Sequence, residues 1–264
     1  MDRLKRLLAD DRAAVCAWIG TPGRGWIEQI CAVGAGGGFD AIVLDMQHGM
    51  HGEGDVLETI ASINASGKPA IVRIPVGRFD LASRVLDAGA HGVIAPMINS
   101  LDDAKAFAAH MKYPPVGERS FGATFAIRRL GLAPTDYVPR ANAETMAIAM
   151  IETREAFEAA DDILALDGID AIFMGPSDFS ISIQGGGMPK AFGDDTVGMI
   201  EELASKARRA GKVAAVFAYD ASAANRAHAM GYRLLAVGLD GSYLQNGVDP
   251  LLGALDFRAP GGAA

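Results

Sequence analysis

Eight short runs of unbroken apolar residues, each followed by a stretch that reads as helix, limit what this chain can become. The runs are Ala14–Ile19, Phe39–Asp45, Ala70–Ile74, Gly92–Ile98, Thr145–Ile151, Ile169–Met174, Val213–Tyr219 and Tyr232–Leu239. Continuous rather than alternating hydrophobicity marks strands buried on both faces, as in a parallel sheet covered by helices. Between the runs, helices are expected over Trp26–Val33, Gly54–Ser66, Asp80–Ala88, Ser100–Met111, Arg154–Leu166, Val197–Ala210 and Ala221–Met230. Ser100 is placed to cap its helix. A short amphipathic helix, Asp2–Arg12, precedes the first strand, with Leu4, Leu7 and Leu8 at helical spacing. A last helix begins near Gly241, ahead of a frayed Pro-Gly-Gly-Ala-Ala end. Eight βα units in 264 residues fit an α/β fold of the closed (β/α)8 or TIM-barrel type, which commonly needs about 250 residues. No linker divides the chain, so residues 1–264 are expected to form one domain. The rival, an open doubly wound sheet, carries a glycine fingerprint after its first strand. The glycine-rich Gly34–Gly38 follows a helix and opens a strand, the reverse of that order, and reads as a helix C-cap and tight turn.

A formal charge of −8 argues against a general nucleic-acid binder, which shows a basic stripe. An anionic small molecule remains open, because a few pocket arginines suffice. No apolar run approaches the roughly 18 residues of a membrane span. The charged, leucine-interrupted N-terminus does not read as a signal peptide. Cys16 and Cys31 lie in apolar contexts and form no C-x-x-C pair, which suits buried small hydrophobes in a reducing compartment. A cytoplasmic protein with no membrane or nucleic-acid partner is expected.

Active sites of such barrels lie at the C-terminal ends of the strands. The second run ends in Asp45-Met46-Gln47-His48-Gly49, the third holds Arg73, the fifth stops at Glu152, and the sixth leads through Gly175-Pro176-Ser177 to Asp178. Asp87 lies on a helix nearby, and the long irregular section Tyr113–Asn142 supplies Arg119; a section of that length in a compact domain is usually functional. Glu152 and Asp178 supply carboxylate oxygens from adjacent strands, which suits Mg²⁺ or Mn²⁺. Spacing alone leaves two other readings open: a proton-sharing dyad, and a structural carboxylate paired with Arg154 or another cation. His48 has Asp45 three residues before it; an aspartate that orients an imidazole makes a general base, while the bland alternative is a hydrogen-bonded rim histidine. His51, His91, His110 and His228 lack such surroundings and read as surface or helix-end residues. Arg73, inside an apolar strand, needs a buried partner, either a barrel carboxylate or an anionic substrate.

In order along the chain, Asp45–Gly49, Val72–Pro75, Leu86–Val93, Tyr113–Gly122, Met150–Ala156 and Phe173–Asp178 resemble the HpcH/HpaI aldolase family, the metal-dependent class II pyruvate aldolases. The resemblance runs from about residue 15 to about residue 240. It implies a (β/α)8 barrel with Glu152 and Asp178 as ligands of a divalent cation, Mg²⁺ or Mn²⁺, with Co²⁺ or Zn²⁺ also compatible. It implies that Arg73 stabilises a pyruvate enolate and that Asp45 and His48 form the acid/base pair. Met150, Gly175, Pro176, Ser177, Asp178 and Arg119 would surround the substrate. The implied reaction is reversible cleavage of a 4-hydroxy-2-oxo acid to pyruvate, or hydroxypyruvate, and an aldehyde, without a lysine Schiff base. The resemblance also implies a homo-oligomer, a hexamer or trimer of dimers that exchange the last helix, with Asp87 completing a neighbour's site. Some members carry glutamine where Met150 stands and glutamate where Gln47 stands, so the substrate is left open. The rival functions are a CoA-ester lyase of the malyl- or citramalyl-CoA type and a non-catalytic acid-binding barrel.

Overall fold

The computed structural model describes residues 2–34 and 38–255. The core of the expected glycine turn, residues 35–37, and the expected frayed end lie outside them. Strands β1 (Ala14–Ile19), β2 (Ala41–Asp45), β3 (Ala70–Arg73), β4 (Gly92–Ala95), β5 (Met146–Ile151), β6 (Ala171–Met174), β7 (Val213–Ala218) and β8 (Leu234–Val237) pair in chain order. All are parallel, and β8 closes on β1, so the sheet is a barrel. The TIM-barrel expectation holds.

Strand parity sets the two layers of the core, because successive side chains point to opposite faces. On β2, Ala41 and Val43 point into the barrel while Ile42 and Leu44 face the helices. On β5 the inward series is Met146, Ile148 and Met150, and the outward series Ala147, Ala149 and Ile151. Inward positions near the C-terminal strand ends are therefore the ones that can face a substrate. At the opposite mouth, helix α1 (Arg3–Leu7) sends Leu4, fully buried, into the inner cluster.

The remaining helices are α2 (Arg24–Ala32), α3 (Glu53–Ala65), α4 (Asp80–Asp87), α5 (Leu101–Met111), α6 (Thr124–Arg129), α7 (Pro134–Glu144), α8 (Arg154–Glu158), α9 (Ala160–Leu164), α10 (Pro176–Gln184), α11 (Val197–Arg209), α12 (Ala221–Met230) and α13 (Asp240–Gly253). Ser100 caps α5 as expected, its Oγ accepting from the Asp103 amide at 3.1 Å.

Four expectations change. The irregular section contains α6 and α7, whose Ala126, Tyr137 and Ala141 build a small separate core with Tyr113. Pro139 inside α7 hides its helical pattern. No helix is among those expected between the sixth run and Val197, yet α10 lies there, started by Pro176 in its first turn and stopped by left-handed Gly185; Asp178 therefore stands on a helix's first turn. β4 ends early because Pro96 follows it and Met97 adopts φ +54°. Finally, His51 and His91 are buried, at 6% and 1% exposure. His91 sits at the foot of β4, where its peptide joins the ladder to Ala70 and Met146.

Candidate active site

The parity rule carries into the site. Asp45 and Arg73 are the next inward positions after Val43 and Ile71, and they are register partners on neighbouring strands. Their side chains meet directly: Arg73 Nε donates to Asp45 Oδ1 at 2.8 Å and Nη2 to Oδ2 at 2.6 Å. Both are buried. Burial by itself would raise the Asp45 carboxyl, but the Arg73 hydrogen bonds and charge, with the amides of Gln47 and His48, outweigh it and hold the group below the usual carboxylate range. Arg73 thus finds its partner inside the barrel, one of the two alternatives its sequence left open.

The same carboxylate organises the loop after β2. Its Oδ1 accepts from the Gln47 and His48 amides at 3.0 and 3.3 Å. Asp45 therefore grips the backbone that carries His48; the expected contact with the imidazole itself is absent, because Arg73 and those amides take up the carboxylate. Gly49 closes the turn where any side chain would collide, since a Cβ there would lie 2.2 Å from the Asp45 carbonyl oxygen. The His48 ring is exposed at the mouth.

Trp18, the top inward residue of β1, completes the floor. Its Nε1 donates to Asp45 Oδ2 at 3.2 Å, and the Arg73 guanidinium lies 4.7 Å from its ring centre. Phe173 and Phe217 brace the indole at 5.6 and 5.5 Å.

On β5 the inward series continues from Met150 to Glu152. Glu152 is 1% exposed. Its Oε1 accepts from the Met97 amide at 2.8 Å, a donor delivered by the left-handed residue after β4. Its Oε2 is buried with no hydrogen-bond partner. Burial pushes this carboxyl up to about 7; the Met97 amide opposes the rise, and the Asp178 charge adds to it. Glu152 makes no ion pair with Arg154, whose guanidinium goes to the Ile183 carbonyl. Gly175 allows the carboxylate its place: a Cβ there would stand 2.7 Å from Glu152 Oε2 and 2.8 Å from Met150 Cε.

A cavity of about 330 Å³ opens above these groups. It collects Asp45, His48, Arg73, Met150, the Gly175–Asp178 turn and Trp18. Tyr219, Leu239 and Asp240 join them, none of which the sequence singled out. Asp240 accepts from the Gly20 and Thr21 amides at 3.1 and 2.6 Å, tying α13 to the loop after β1. Their common signal was position just past the ends of β7 and β8, with no motif to mark them.

Arg119 and Asp87 lie outside this cavity. Arg119 is 3% exposed, donates to Asp87 at 2.6 Å and to the Tyr137 hydroxyl at 3.1 Å, and stacks on Tyr113 at 4.7 Å. Within one chain the pair ties the section after α5 to the end of α4.

Among the described residues no group of three or more His, Cys, Asp or Glu side chains gathers. An orphaned buried carboxylate oxygen with a second carboxylate nearby nonetheless fits a hard cation that keeps most of its shell as water and substrate oxygens, as Mg²⁺ does.

A parallel barrel with a buried arginine–aspartate fork, an exposed histidine and two further carboxylates gathered toward its C-terminal mouth has the polar equipment of an enzyme active site. Residues 28–247 match the HpcH/HpaI aldolase/citrate lyase family, and the chain belongs to it. A hydroxypyruvate/pyruvate aldolase of Roseovarius nubinhibens is 34% identical over 203 residues, 77% of this chain and 78% of its own. A 2-keto-3-deoxy-L-rhamnonate aldolase of Klebsiella pneumoniae is 32% identical over 209 residues, 79% and 77% of the two chains. Among solved structures, an HpcH/HpaI aldolase from Desulfitobacterium hafniense superposes with a TM-score of 0.86 at 26% identity, covering 99% of both chains. As a member of this family the chain is a lyase of the aldolase kind.

Proposed function

We propose that this protein is a class II pyruvate aldolase that reversibly cleaves 4-hydroxy-2-oxo acids into pyruvate, or hydroxypyruvate, and an aldehyde. The observation that carries the reading is the buried Asp45–Arg73 fork, which shares a cavity with Asp178, and the buried Glu152 carboxylate, which feels the charges of both Asp178 and Arg73. The names of the relatives at 32–34% identity support the substrate class.

Glu152 and Asp178 would hold a divalent cation, which would supply Lewis acidity to the oxo-acid end of the substrate. Arg73 gives its Nε hydrogen and one Nη2 hydrogen to Asp45, so the two Nη1 hydrogens and the second Nη2 hydrogen are the donors left for the substrate. Fixed by the fork and by Trp18, that charge is already in place for the oxygen that becomes negative when the C3–C4 bond breaks. His48 takes the proton from the C4 hydroxyl and, in the reverse direction, returns it. Asp45 serves this step indirectly, by holding the peptide of His48 and fixing Arg73. Met150 and Trp18 present apolar surface to the cavity and limit the water that reaches the enolate carbon.

The two cysteines are free and buried, which supports a reducing, cytoplasmic setting. No helix among the described residues is long and apolar enough to cross a membrane. On α13, Leu244, Val248 and Leu251 are exposed, which supports packing against another copy of the chain, with Asp87 offered to a neighbour's site.

The test is a steady-state assay with pyruvate or hydroxypyruvate and a panel of aldehydes, with malyl- and citramalyl-CoA as separate arms. Activity on oxo acids that is lost in EDTA and restored by Mg²⁺ or Mn²⁺ is expected. Activity surviving complete metal removal, borohydride trapping of pyruvate on a lysine, or turnover of CoA esters alone would each refute the proposal.

A further inference from the structure

The opposite end of the barrel holds a second polar cavity, of about 290 Å³, beside α1. Arg3, Arg6, Arg129, Arg140, Asn64 and His91 line it, together with one carboxylate, Asp2. In a chain of net charge −8 this is a local reversal of sign.

Two of the four guanidiniums are already answered by carboxylates. Arg6 pairs with Asp2 at 2.7 Å, and Arg140 with Glu144 through Nε at 2.5 Å. Arg129 donates to the Ala88 carbonyl at 2.7 Å, which uses a donor without cancelling a charge. Arg3 has no hydrogen-bond or ion-pair partner among the described residues. Two positive charges therefore face the cavity uncompensated.

The wall between them is unfinished. His91 is 1% exposed and its Nδ1 is buried with no partner; Asn64 Oδ1 is likewise buried and unpaired, while its Nδ2 donates to the Gly89 carbonyl at 2.9 Å. Buried polar atoms in folded proteins are nearly always paired, so two orphans lining one cationic cavity indicate a missing polar group. Burial, with nearby positive charges including Arg3, pushes the His91 imidazole down to about 3, so it stays neutral and supplies a single N–H donor.

We propose that this cavity binds a phosphate-class dianion, either inorganic phosphate or the phosphoryl group of a phosphate monoester. A phosphoryl group carries about −1.5 to −2 charges at neutral pH, which matches the two open guanidiniums. Guanidinium forks fit phosphate oxygens in pairs. The His91 ring N–H donates to a third oxygen. Asn64 Oδ1, an acceptor, takes the P–OH of the monohydrogen form or a hydroxyl of the esterified alcohol. The ligand would join α1 to the foot of β4 and to α6 and α7, so it stabilises the folded chain by mass action. The site is independent of the aldolase reading.

The experiment uses the full chain in chloride buffer at constant ionic strength. Inorganic phosphate and glycerol phosphate are titrated separately, read by the melting temperature and by the ring nitrogen signals of His91. A saturable rise in melting temperature with a matching shift of the His91 signals is expected. Tighter glycerol phosphate binding would identify a monoester site, and equal binding a phosphate site. Arg3→Gln should melt like the parent without phosphate and bind about tenfold more weakly, the loss of one charge-assisted contact. Arg129→Gln is the second variant, with the same expected weakening. A response equal to that of added sodium chloride would overturn the proposal. So would unchanged binding in Arg3→Gln, or signals that move at His48 and stay fixed at His91, which would put the anion in the active-site cavity.

Discussion

The Asp45–Arg73 fork offers a sharp test, because it assigns stability and chemistry to the same two side chains. Asp45→Asn keeps the shape and removes the charge. It leaves a guanidinium that is 7% exposed without its counter-ion, and breaking a buried pair in this way costs about 3–5 kcal/mol. In a chain of this length each kcal/mol moves the melting temperature by about 2 °C, so a fall of about 6–10 °C is expected. The two hydrogen bonds that aim Arg73 are weakened together, and kcat/KM for retro-aldol cleavage should fall about 10²–10³-fold, the scale of one misplaced oxyanion donor. Asp45→Leu with Arg73→Met removes both charges. Replacing a buried pair by apolar groups is often neutral or stabilising, so the double variant should melt within a few degrees of the parent while having no aldolase activity. Thermal unfolding by circular dichroism and the cleavage assay read the two effects separately. If Asp45→Asn melts within 1 °C of the parent, or if the double variant loses as much stability as the two single ones added together, the fork is not a coupled buried pair and the reasoning fails.

Gly175→Ala puts a methyl group 2.9 Å or less from the Glu152 side chain and Met150 Cε; overpacking of this kind costs about 1–3 kcal/mol, and isothermal titration with Mn²⁺ should show weaker binding than in the parent. His48→Ala should lower kcat about 10²–10⁴-fold with an unchanged melting temperature, and external imidazole should restore part of the rate. Arg119→Met leaves the Tyr137 hydroxyl and the Asp87 carboxylate without their partner, so the melting temperature should fall by an amount equivalent to about 1–3 kcal/mol; an unchanged melting curve would show the stack on Tyr113 to be dispensable. His91 has a folded pKa near 3 against about 6.5 unfolded, so the unfolded chain takes up a proton first as pH falls. Stability from this group is complete above pH 6.5 and declines toward pH 3 by about 1.4 kcal/mol per unit; in phosphate-free buffer His91→Gln should flatten that part of the profile.

Much of the fold was legible because a parallel barrel writes itself as repeated apolar runs. Strand parity was legible too: Met146, Ile148, Met150 and Glu152 share one face by counting in twos. Register was not, since no spacing within one strand says which residue of the next lies beside it. That is why Asp45 looked like a partner for the His48 ring rather than for Arg73, its register neighbour. Helix α7 was hidden by Pro139, and α10 by a start at Pro176 that resembles a loop. Trp18, Tyr219 and Asp240 carry no reactive pattern and become site residues only when the barrel closes. His91 misled for a related reason: its neighbours in sequence are glycine and alanine, whereas in the fold it shares a cavity with Asn64 and with arginines brought in by distant helices.

The walls of the active-site cavity differ in how firmly they are held, and this bears on what the enzyme can discriminate. The floor is over-determined. Trp18 touches Asp45, Arg73, Phe173 and Phe217, so residues from β1, β2, β3, β6 and β7 fix one another at 3% exposure for the indole and 7% for the guanidinium. Met150 adds an unbranched but 3% exposed side chain wedged against Gly175. A group bound there meets positions set before it arrives, which is the condition for strong geometric selection. The rim is built otherwise. Tyr219 is 50% exposed and Leu239 38%, and Tyr219 is steadied by a single hydroxyl contact with Ser177 at 2.7 Å and an edge contact with Phe217. Such side chains can turn aside at little cost. Under the proposed chemistry the oxo-acid end lies on the floor and the aldehyde end at the rim. Strict choice of the nucleophilic partner and loose choice of the aldehyde then follow from packing alone, and substitutions at Tyr219 or Leu239 should redistribute aldehydes without touching the pyruvate half-reaction.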